Sequence, residues 1–222
     1  SAAGGNLANA GLSAGSFGGT SSSFTTLAQT TDVNTASTDA LAAGDLVING
    51  GPIGASDADD VTASDTTTVS SSAAASGLAV AAAINKSTDQ TGVSATANAT
   101  VVVGGTATAA VGGDAGVITI NGVSTATLTS TTDAESNRGL AIDAINSLSG
   151  QTGVVASDNG TSLTLTAADG RNVSVFVTDN AFGEEFGLDS DTAGVGTGAD
   201  ASVGSATTAS TVTLSSAGSI EV

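Results

Sequence analysis

Two stretches of this chain carry the same short motif, and this repeat constrains the fold more than any other feature. In each copy a strand-like segment ends in Asn-Gly, and a helix-like run further along ends in Ile-Asn and is followed by Gln-Thr-Gly-Val. The first copy comprises LVING (46–50) and GLAVAAAINKSTDQTGV (77–93), and the second comprises VITING (117–122) and GLAIDAINSLSGQTGV (139–154). Because a sequence repeat usually corresponds to a repeated structural unit, we expect two small units of the same kind.

The candidate site consists of motif and core positions, which we interpret as structural. In the first copy these are Ile48, Asn49, Gly50, Ile84, Asn85, Gly92 and Val93; in the second they are Ile120, Asn121, Gly122, Leu140, Ile145, Asn146, Gly153 and Val154. The Asn-Gly pairs are typical of tight turns, because both residue types tolerate a positive φ.

The second copy has the clearer pattern. Ile118 and Ile120 alternate with polar residues, and residues 123–128 are expected to return as the partner strand. A helix should follow, opened by a capping box of Thr132 and Glu135. Its apolar stripe is formed by Leu140, Ala141, Ala144, Ile145 and Leu148, and Gly150 or Gly153 should end it.

Beyond this helix the sequence predicts further strands. Asp158-Asn159-Gly160 is a hairpin signal between residues 154–157 and 163–166. Val173, Val175 and Val177 alternate with a period of two, which is typical of a strand with one buried face. The second unit is therefore predicted to have the order β-β-α-β-β-β.

The first copy is less regular. Residues 46–48 are a strand candidate, and Pro52 restricts the following segment to an edge or loop. A helix is expected over residues 71–85, and residues 93–103 should supply a β stretch.

The predicted fold class is α+β, mainly β, with two small repeated units between an extended leader and exit strands. We divide the chain into a leader or linker with one or two short strands (1–45), a first unit (46–115), a second unit (116–188), and a loose loop with exit strands (189–222). Residues 190–209 contain only Val195 and Val203 as core-type residues, which favours a mobile loop.

The charge balance excludes several classes of function. The formal net charge is −18, from 21 acidic and 3 basic residues. Nucleic acid and anionic membranes are not expected partners, because too few cations are present to neutralise phosphate. The chain has no His and no Cys, so the usual pairs of nucleophile and base are absent. We therefore expect no catalytic residues, no enzymatic activity and no cofactor.

Acidic clusters and glycosylation sequons are the remaining candidate sites. Residues 57–60 and 184–191 could offer oxygen ligands to calcium, but neither matches an EF-hand loop, and simple solvation is the preferred interpretation, with no metal site. Asn85, Asn98, Asn159 and Asn172 each begin an Asn-x-Ser/Thr sequon. The chain also offers abundant Ser and Thr hydroxyl groups as possible sites of O-linked glycans, without a pattern that singles out a residue.

The repeated residues resemble the flagellin hook IN motif of bacterial flagellins and of flagellar hook-associated and filament-cap proteins. Residues 118–122, 144–146 and 153–154, followed by SLTLT (162–166), match it in the second copy. Residues 47–50, 83–85 and 92–93 match it in the first, where Pro52 and the valine run at 101–103 depart from the pattern. The resemblance covers about half the chain.

This resemblance implies a structural role as the surface-exposed, hypervariable central region of a flagellin. The protein would be extracellular, on the bacterial flagellum, and would serve motility as part of the filament. Its partners would be other flagellin subunits, bound through terminal regions missing from this chain. The alternative is a binding module of a bacterial adhesin, or of a flagellar cap or hook-associated protein. A sugar-binding module would ordinarily offer aromatic platforms, and the chain has no Trp or Tyr and only 5 Phe.

The two ends of the sequence lead to a geometric expectation. The chain lacks an initiating Met and stops within a predicted strand, so we interpret it as a fragment of a longer protein. If it is an exposed insertion, the leader (1–45) and the exit strands (211–222) should lie close together, as the termini of inserted domains do.

The charge also generates a prediction about self-association. We expect the isolated chain to be a monomer at micromolar concentration, because like charges repel and the sequence has no long apolar face. Light scattering after gel filtration should give a mass near 20.7 kDa. A stable dimer in moderate salt would contradict this expectation.

Overall fold

The structure is a computed structural model that describes residues 40–61, 71–109, 113–189, 195–197 and 206–222. It also describes the backbone of three short strands at 16–17, 22–25 and 30–31. The fold is mixed, with strands predominating over short helices, so the predicted class of α+β, mainly β, is confirmed.

The elements are numbered in chain order. The strands are β1 (Ser16–Phe17), β2 (Ser22–Thr25), β3 (Thr30–Thr31), β4 (Val47–Ile48), β5 (Gly51–Pro52), β6 (Val93–Ala97), β7 (Thr100–Val103), β8 (Ala115–Gly116), β9 (Ile118–Ile120), β10 (Val123–Ser124), β11 (Leu128–Thr129), β12 (Val155–Asp158), β13 (Leu163–Ala167), β14 (Val173–Val177), β15 (Gly196–Thr197), β16 (Ala206–Thr208), β17 (Val212–Ser216) and β18 (Ile220–Glu221). The α-helices are α1 (Gly77–Asn85), α2 (Thr88–Thr91), α3 (Ala134–Ser147), α4 (Ser149–Thr152) and α5 (Asn180–Glu185), and 3₁₀ helices cover Ala58–Asp60 and Ala73–Ala75.

The buried apolar side chains form two separate clusters, one around each copy of the motif. The cluster of the first unit contains Leu41, Leu46, Ile48, Ile53, Val80, Ala81, Ala83, Ile84, Val93, Ala95, Val212, Leu214 and Ile220. The cluster of the second unit contains Val102, Ile118, Ile120, Ala141, Ile145, Val154, Ala156, Leu163, Leu165, Ala167, Val173, Val175, Val177, Phe182, Phe186, Leu188 and Val195. Each helix with the Ile-Asn motif therefore packs on strands of its own unit.

Strand register shows that the two units have the same construction. In the second unit Ala156 of β12 lies opposite Leu165 of β13. In the first unit Ala95 of β6 lies opposite Leu214 of β17. Strand β17 thus occupies the place that β13 has in the second unit, and β18 follows it as β14 follows β13. The first unit is consequently built from two distant parts of the chain, and the second unit lies between them in sequence.

This arrangement changes the assignment of two segments. The valine run at 101–103, which the sequence placed in the first unit, forms β7 and pairs with β13 of the second unit. Its buried member, Val102, belongs to the second core. The exit strand β17 instead completes the first unit. Alternation of apolar residues indicates a strand but does not identify its neighbour, so the pattern could not reveal this exchange.

The predicted loose loop also contributes to the second unit. Both β15 and β16 pair with β14, the first in parallel and the second antiparallel, and Val195 is buried in the core. All five residues of β14 are buried, so its period of two did not correspond to a single buried face. In the described part of this segment, residues 195–197 and 206–209, strands are therefore present where the sequence predicted a loop, while Val203 lies outside the described residues.

Details of helix α3 differ from its prediction. Leu140 retains 41% exposure, so it is not a core residue. The buried face is centred on Ala141 and Ile145, and Leu140 lies about 100° around the helix from Ala141. The N-cap is Asp133, whose side chain accepts a hydrogen bond from the backbone N–H of Glu135. The predicted capping box, with Thr132 as the N-cap and Glu135 three residues later, is therefore wrong. Gly153, and not Gly150, ends the helical region with φ 70°.

The beginning and end of the chain lie side by side. Strand β1 pairs with β18, and β2 pairs with β17, both antiparallel. The expectation that the leader and the exit strands are close together is therefore confirmed for these strands. The leader outside 16–17, 22–25, 30–31 and 40–45 lies outside the described residues.

Helix α3 allows a matched test of the second core. Ile145→Ala should lower the free energy of unfolding by about 2–5 kcal/mol, because it removes a fully buried side chain and leaves a cavity. Leu140→Ala, on the exposed side of the same helix, should cost less than about 1 kcal/mol. Denaturant unfolding of both variants measures the difference, and equal losses would show that the Ile145 face is not a core.

Candidate functional site

The first asparagine of each motif is held in a turn and binds two further backbone segments. Asn121 and Asn49 have φ values of 48° and 49°, and each is followed by a glycine with φ 77°. The Nδ2 of Asn121 donates to the carbonyl of Thr152 at 3.0 Å, and its Oδ1 accepts from the N–H of Ser174 at 2.8 Å. One side chain therefore joins the β9–β10 turn to the end of α4 and to β14.

Asn49 makes the same pair of bonds in the first unit. Its Nδ2 donates to the carbonyl of Thr91 at 2.8 Å, and its Oδ1 accepts from the N–H of Glu221 at 2.9 Å. The backbone N–H of Asn49 also donates to the carbonyl of Glu221, as that of Asn121 does to Ser174. Glu221 of the exit strand β18 thus has the position of Ser174 in β14.

The second asparagine of each motif pairs with a strand edge. Asn146 donates from Nδ2 to the carbonyl of Ala156 at 3.0 Å and accepts at Oδ1 from the N–H of the same residue at 2.8 Å. Asn85 does the same with Ala95, at 2.8 and 2.7 Å. Strand β12 pairs with β13 on one side, and β6 pairs with β17 on one side. The asparagine amides bind backbone groups on the opposite side of β12 and β6, where each strand would otherwise have an open edge.

A threonine completes each motif, although the sequence analysis did not single it out. The Oγ1 of Thr152 donates to the carbonyl of Leu148 at 3.2 Å and accepts from the N–H of Val154 at 3.2 Å. Thr91 makes the equivalent bonds with Ser87 and Val93, at 3.1 and 3.2 Å. The repeat of Thr-Gly-Val in both copies was a sequence signal that could have identified these threonines. The partners of the first asparagines, Ser174 and Glu221, have no such marker in the sequence.

The motif residues that the sequence predicted therefore come together within each unit, with Leu140 as the exception. Ile48, Ile84, Val93, Ile120, Ile145 and Val154 are fully buried. Each motif amide is bonded at both its oxygen and its nitrogen to backbone groups of its own unit. Such an arrangement holds strands and helix ends together, and its polar atoms are engaged by the protein itself.

The three basic side chains of the chain are all in ion pairs. Lys86 pairs with Asp60 at 2.6 Å on the surface. Arg138 is buried, and its Nε lies 3.0 Å from Asp158. The Nη2 of Arg171 lies 2.7 Å from Asp169, and its Nη1 donates to the carbonyl of Thr152. Each of the three cations is therefore engaged by a carboxylate of the same chain.

Hydrogen bonds lower the pKa of three carboxyl groups. The N–H of Gly160, followed by Arg138, lowers the pKa of Asp158. The N–H of Glu135, followed by the hydroxyl of Ser136, lowers the pKa of Asp133 at the start of α3. Burial raises the pKa of Asp169, but the bonds from Arg171 outweigh it and the net change is downward. The three carboxyl groups with a lowered pKa therefore lie in turns or at a helix cap, where they accept hydrogen bonds from nearby backbone N–H groups.

The acidic segments at 57–60 and 184–191 are the calcium candidates that the sequence offers. No group of three or more His, Cys, Asp or Glu side chains is arranged to hold a metal ion in the described part of the chain. Asp57 accepts from the N–H of Asp59, Asp60 pairs with Lys86, and Glu184 accepts from the side chain of Asn180. Asp191 lies outside the described residues.

The four sequons differ in accessibility. Asn172 is fully buried and donates to the carbonyl of Ser72, and Asn85 is bonded twice to Ala95. A glycan on either amide would break these bonds. Asn98 donates to two threonine hydroxyls, whereas Asn159 is exposed in the β12–β13 turn.

Comparison with known proteins leaves the family of this chain open. No protein-family model matches the sequence, and no curated protein matches it. Among the described helices, none combines the length and the apolar character needed to cross a membrane.

The bidentate amides make a testable contribution to stability. Asn146→Asp keeps the acceptor for the N–H of Ala156 but removes the donor and places a carboxylate beside the carbonyl. We expect a loss of about 1–3 kcal/mol in the free energy of unfolding, the range for an unsatisfied buried polar group. Asp143→Asn, an exposed change of similar size on the same helix, is the control and should leave unfolding nearly unchanged. Equal effects would contradict the proposed role of the amide.

The lowered pKa of Asp158 predicts a dependence on pH. A carboxyl group whose pKa is depressed by folding stabilises the native state above its unfolded value of about 3.9, and this stabilisation is lost as the pH falls through the folded value. Asp158→Asn should therefore lower the melting temperature by a constant amount from pH 8 to about pH 5, with the difference shrinking below about pH 4. Thermal melts of both proteins across this range provide the measurement, and a difference that grows in acid would contradict the assignment.

Proposed function

We propose that this chain forms the solvent-exposed outer domains of a bacterial flagellin subunit and builds the outer surface of an extracellular filament. The observation that carries the proposal is the repeated motif, which resembles the flagellin hook IN motif and makes the same hydrogen bonds in both units. Asn49 and Asn121 bind equivalent backbone groups, as do Asn85 and Asn146. The role is structural, with no catalysis and no cofactor.

The path of the chain supports an inserted position within a longer protein. The leader strands β1 and β2 pair with the exit strands β18 and β17, so the chain enters and leaves the domain on one side. Domains inserted into another chain have adjacent termini of this kind. In a flagellin, both ends would continue into the part of the subunit that assembles.

The helices also agree with a role outside the filament core. The longest described helix, α3, has 14 residues, and its buried face is fully used by its own unit. Packing of a filament core needs long helices with sustained apolar stripes. We therefore assign assembly with other flagellin subunits to terminal regions outside this sequence. The acidic, Ser- and Thr-rich surface suits solvent exposure and O-linked glycans.

A binding module is the second candidate, and one observation favours it. Three valines with roughly half their surface exposed, Val101, Val103 and Val155, lie on one sheet of the second unit. A filament-cap or hook-associated protein, or an adhesin, would use such a surface to contact another protein.

Deletion in the parent protein separates the two candidates. Replacing residues 1–222 by a short Gly/Ser linker should still yield filaments, which should be thinner, because assembly would depend on the flanking regions. Electron microscopy of the secreted product is the measurement. Loss of filaments, with normal expression and export of the deleted protein, would contradict the outer-domain proposal and favour a module that contacts other subunits directly.

A further inference from the structure

The sequence contains three Asn-Gly pairs, which are Asn49-Gly50, Asn121-Gly122 and Asn159-Gly160. An asparagine that precedes glycine can lose its side-chain ammonia. The backbone nitrogen of the glycine attacks the amide carbon Cγ, and glycine places no side chain in the way. The product is a five-membered succinimide, which water opens to aspartate or isoaspartate. The structure gives the three pairs different surroundings, and these surroundings bear directly on the reaction.

In the β12–β13 turn, the attacking nitrogen faces a group that can take its proton. The N–H of Gly160 donates to Oδ1 of Asp158 at 2.7 Å. This carboxyl group is ionised at neutral pH, because the N–H of Gly160, followed by Arg138, lowers its pKa. A Cβ added to Gly160 would meet no atom within 4 Å, so the turn leaves space around the nitrogen.

The amide of Asn159 is also surrounded by hydrogen-bond donors. Its Oδ1 accepts from the N–H of Thr161 at 3.1 Å and from the N–H of Ser162 at 2.8 Å. Two backbone donors at this range stabilise the negative charge that develops on a carbonyl oxygen when its carbon is attacked. The Nδ2 lies 2.7 Å from Oγ of Ser162, and a hydroxyl group can donate as well as accept. Ser162 can therefore give a proton to Nδ2 as it leaves.

The described contacts of the two motif pairs are of another kind. The Oδ1 of Asn121 accepts from the N–H of Ser174, and its Nδ2 donates to the carbonyl of Thr152. The Nδ2 of Asn49 likewise donates to backbone carbonyls. A carbonyl oxygen has no proton to give to a leaving amine. Movement of either side chain toward the following glycine would also break bonds to distant segments of its unit.

We propose that Asn159 forms a succinimide spontaneously, promoted by its own turn, while the fold protects the two motif pairs. The bond from the Gly160 nitrogen to Cγ forms as the N–H proton passes to Asp158. The bond from Cγ to Nδ2 then breaks, and Nδ2 leaves as ammonia with a proton from the Ser162 hydroxyl, which regains one from Asp158 through water. Water finally opens the ring at Cγ to give aspartate, or at the backbone carbonyl to give isoaspartate.

The modification changes both the charge and the backbone of the turn. It adds one negative charge to a chain whose net charge is −18, and it removes the Nδ2 donor from Ser162. Isoaspartate also adds a methylene group to the backbone of a hairpin whose register pairs Asp158 with Leu163. The exposed tip of the second unit therefore carries a slow, one-way chemical change, which the Asn-Gly turns inside the two units resist.

The rates at the three pairs can be measured in one sample. The folded chain is incubated at mildly alkaline pH, with a parallel sample in urea above the unfolding transition. Peptic digestion in acid, which halts the reaction, is followed by mass spectrometry of the peptides. In the folded chain we expect Asn159 to deamidate at least about tenfold faster than Asn49 and Asn121, a difference of about 1.4 kcal/mol in activation free energy.

The urea sample shows whether this preference comes from the fold. The three rates should agree there within about twofold, because glycine follows each asparagine and leaves its nitrogen equally open. Equal rates at the three pairs in the folded chain, or a preference for Asn159 that persists in urea, would overturn the proposal.

Two variants test the neighbours of Asn159. Asp158→Asn keeps an acceptor oxygen but removes the base, and it should slow the reaction about threefold, a small effect because the lowered pKa makes Asp158 a weak base. Ser162→Ala removes the proton donor and should also slow it. Ser157→Ala, a change in the same hairpin that leaves the bonds of Asn159 intact, is the control and should leave the rate unchanged. A loosened turn would speed the reaction, so an unchanged or raised rate in Asp158→Asn or Ser162→Ala would overturn the role of that side chain.

Discussion

The interaction on which both units depend is the bond between an asparagine side chain and the backbone of a neighbouring element. A carboxamide offers one donor and one acceptor in a plane, so it can replace a missing strand at a sheet edge or join a turn to two distant segments. Asn85 and Asn146 do the first, and Asn49 and Asn121 do the second. Aspartate lacks the donor and serine lacks the reach, which explains why the same residue type occupies all four positions.

These bonds matter because the apolar content of the chain is low. Val, Leu, Ile and Phe make up about a fifth of the residues, close to the level of roughly 20% below which charged chains remain disordered. In the described part of the chain, the buried members of this set form two small clusters, and each cluster is joined to its own motif. Well-satisfied backbone groups at turns and edges limit the cost of burying a polar main chain around so small a core.

The nested order of the two units gives the ends of the chain a structural role. The first core includes Val212, Leu214 and Ile220 from the last 11 residues as well as Leu41 and Leu46 from the beginning. Strands β17 and β18 have the positions in the first unit that β13 and β14 have in the second. The first unit is therefore complete only when β17 has paired with β6 and β18 has bonded to Asn49. The second unit is thereby held between two segments of the first, and both ends of the chain are brought to one place.

The sequence by itself determined the local features, including the two units, the Asn-Gly turns, the Ile-Asn helices, the β12–β13 hairpin and the predominance of strands. Each follows from short-range preferences of φ and of apolar spacing, which neighbouring residues are enough to specify. The tertiary structure decided which strands become partners. Val102 joined the second core, Leu214 completed the first, and β14 was buried on both faces, because pairing over long separations depends on the combined packing of all strands. For the same reason, the motif asparagines were visible in the sequence, whereas their partners Ser174 and Glu221 were not.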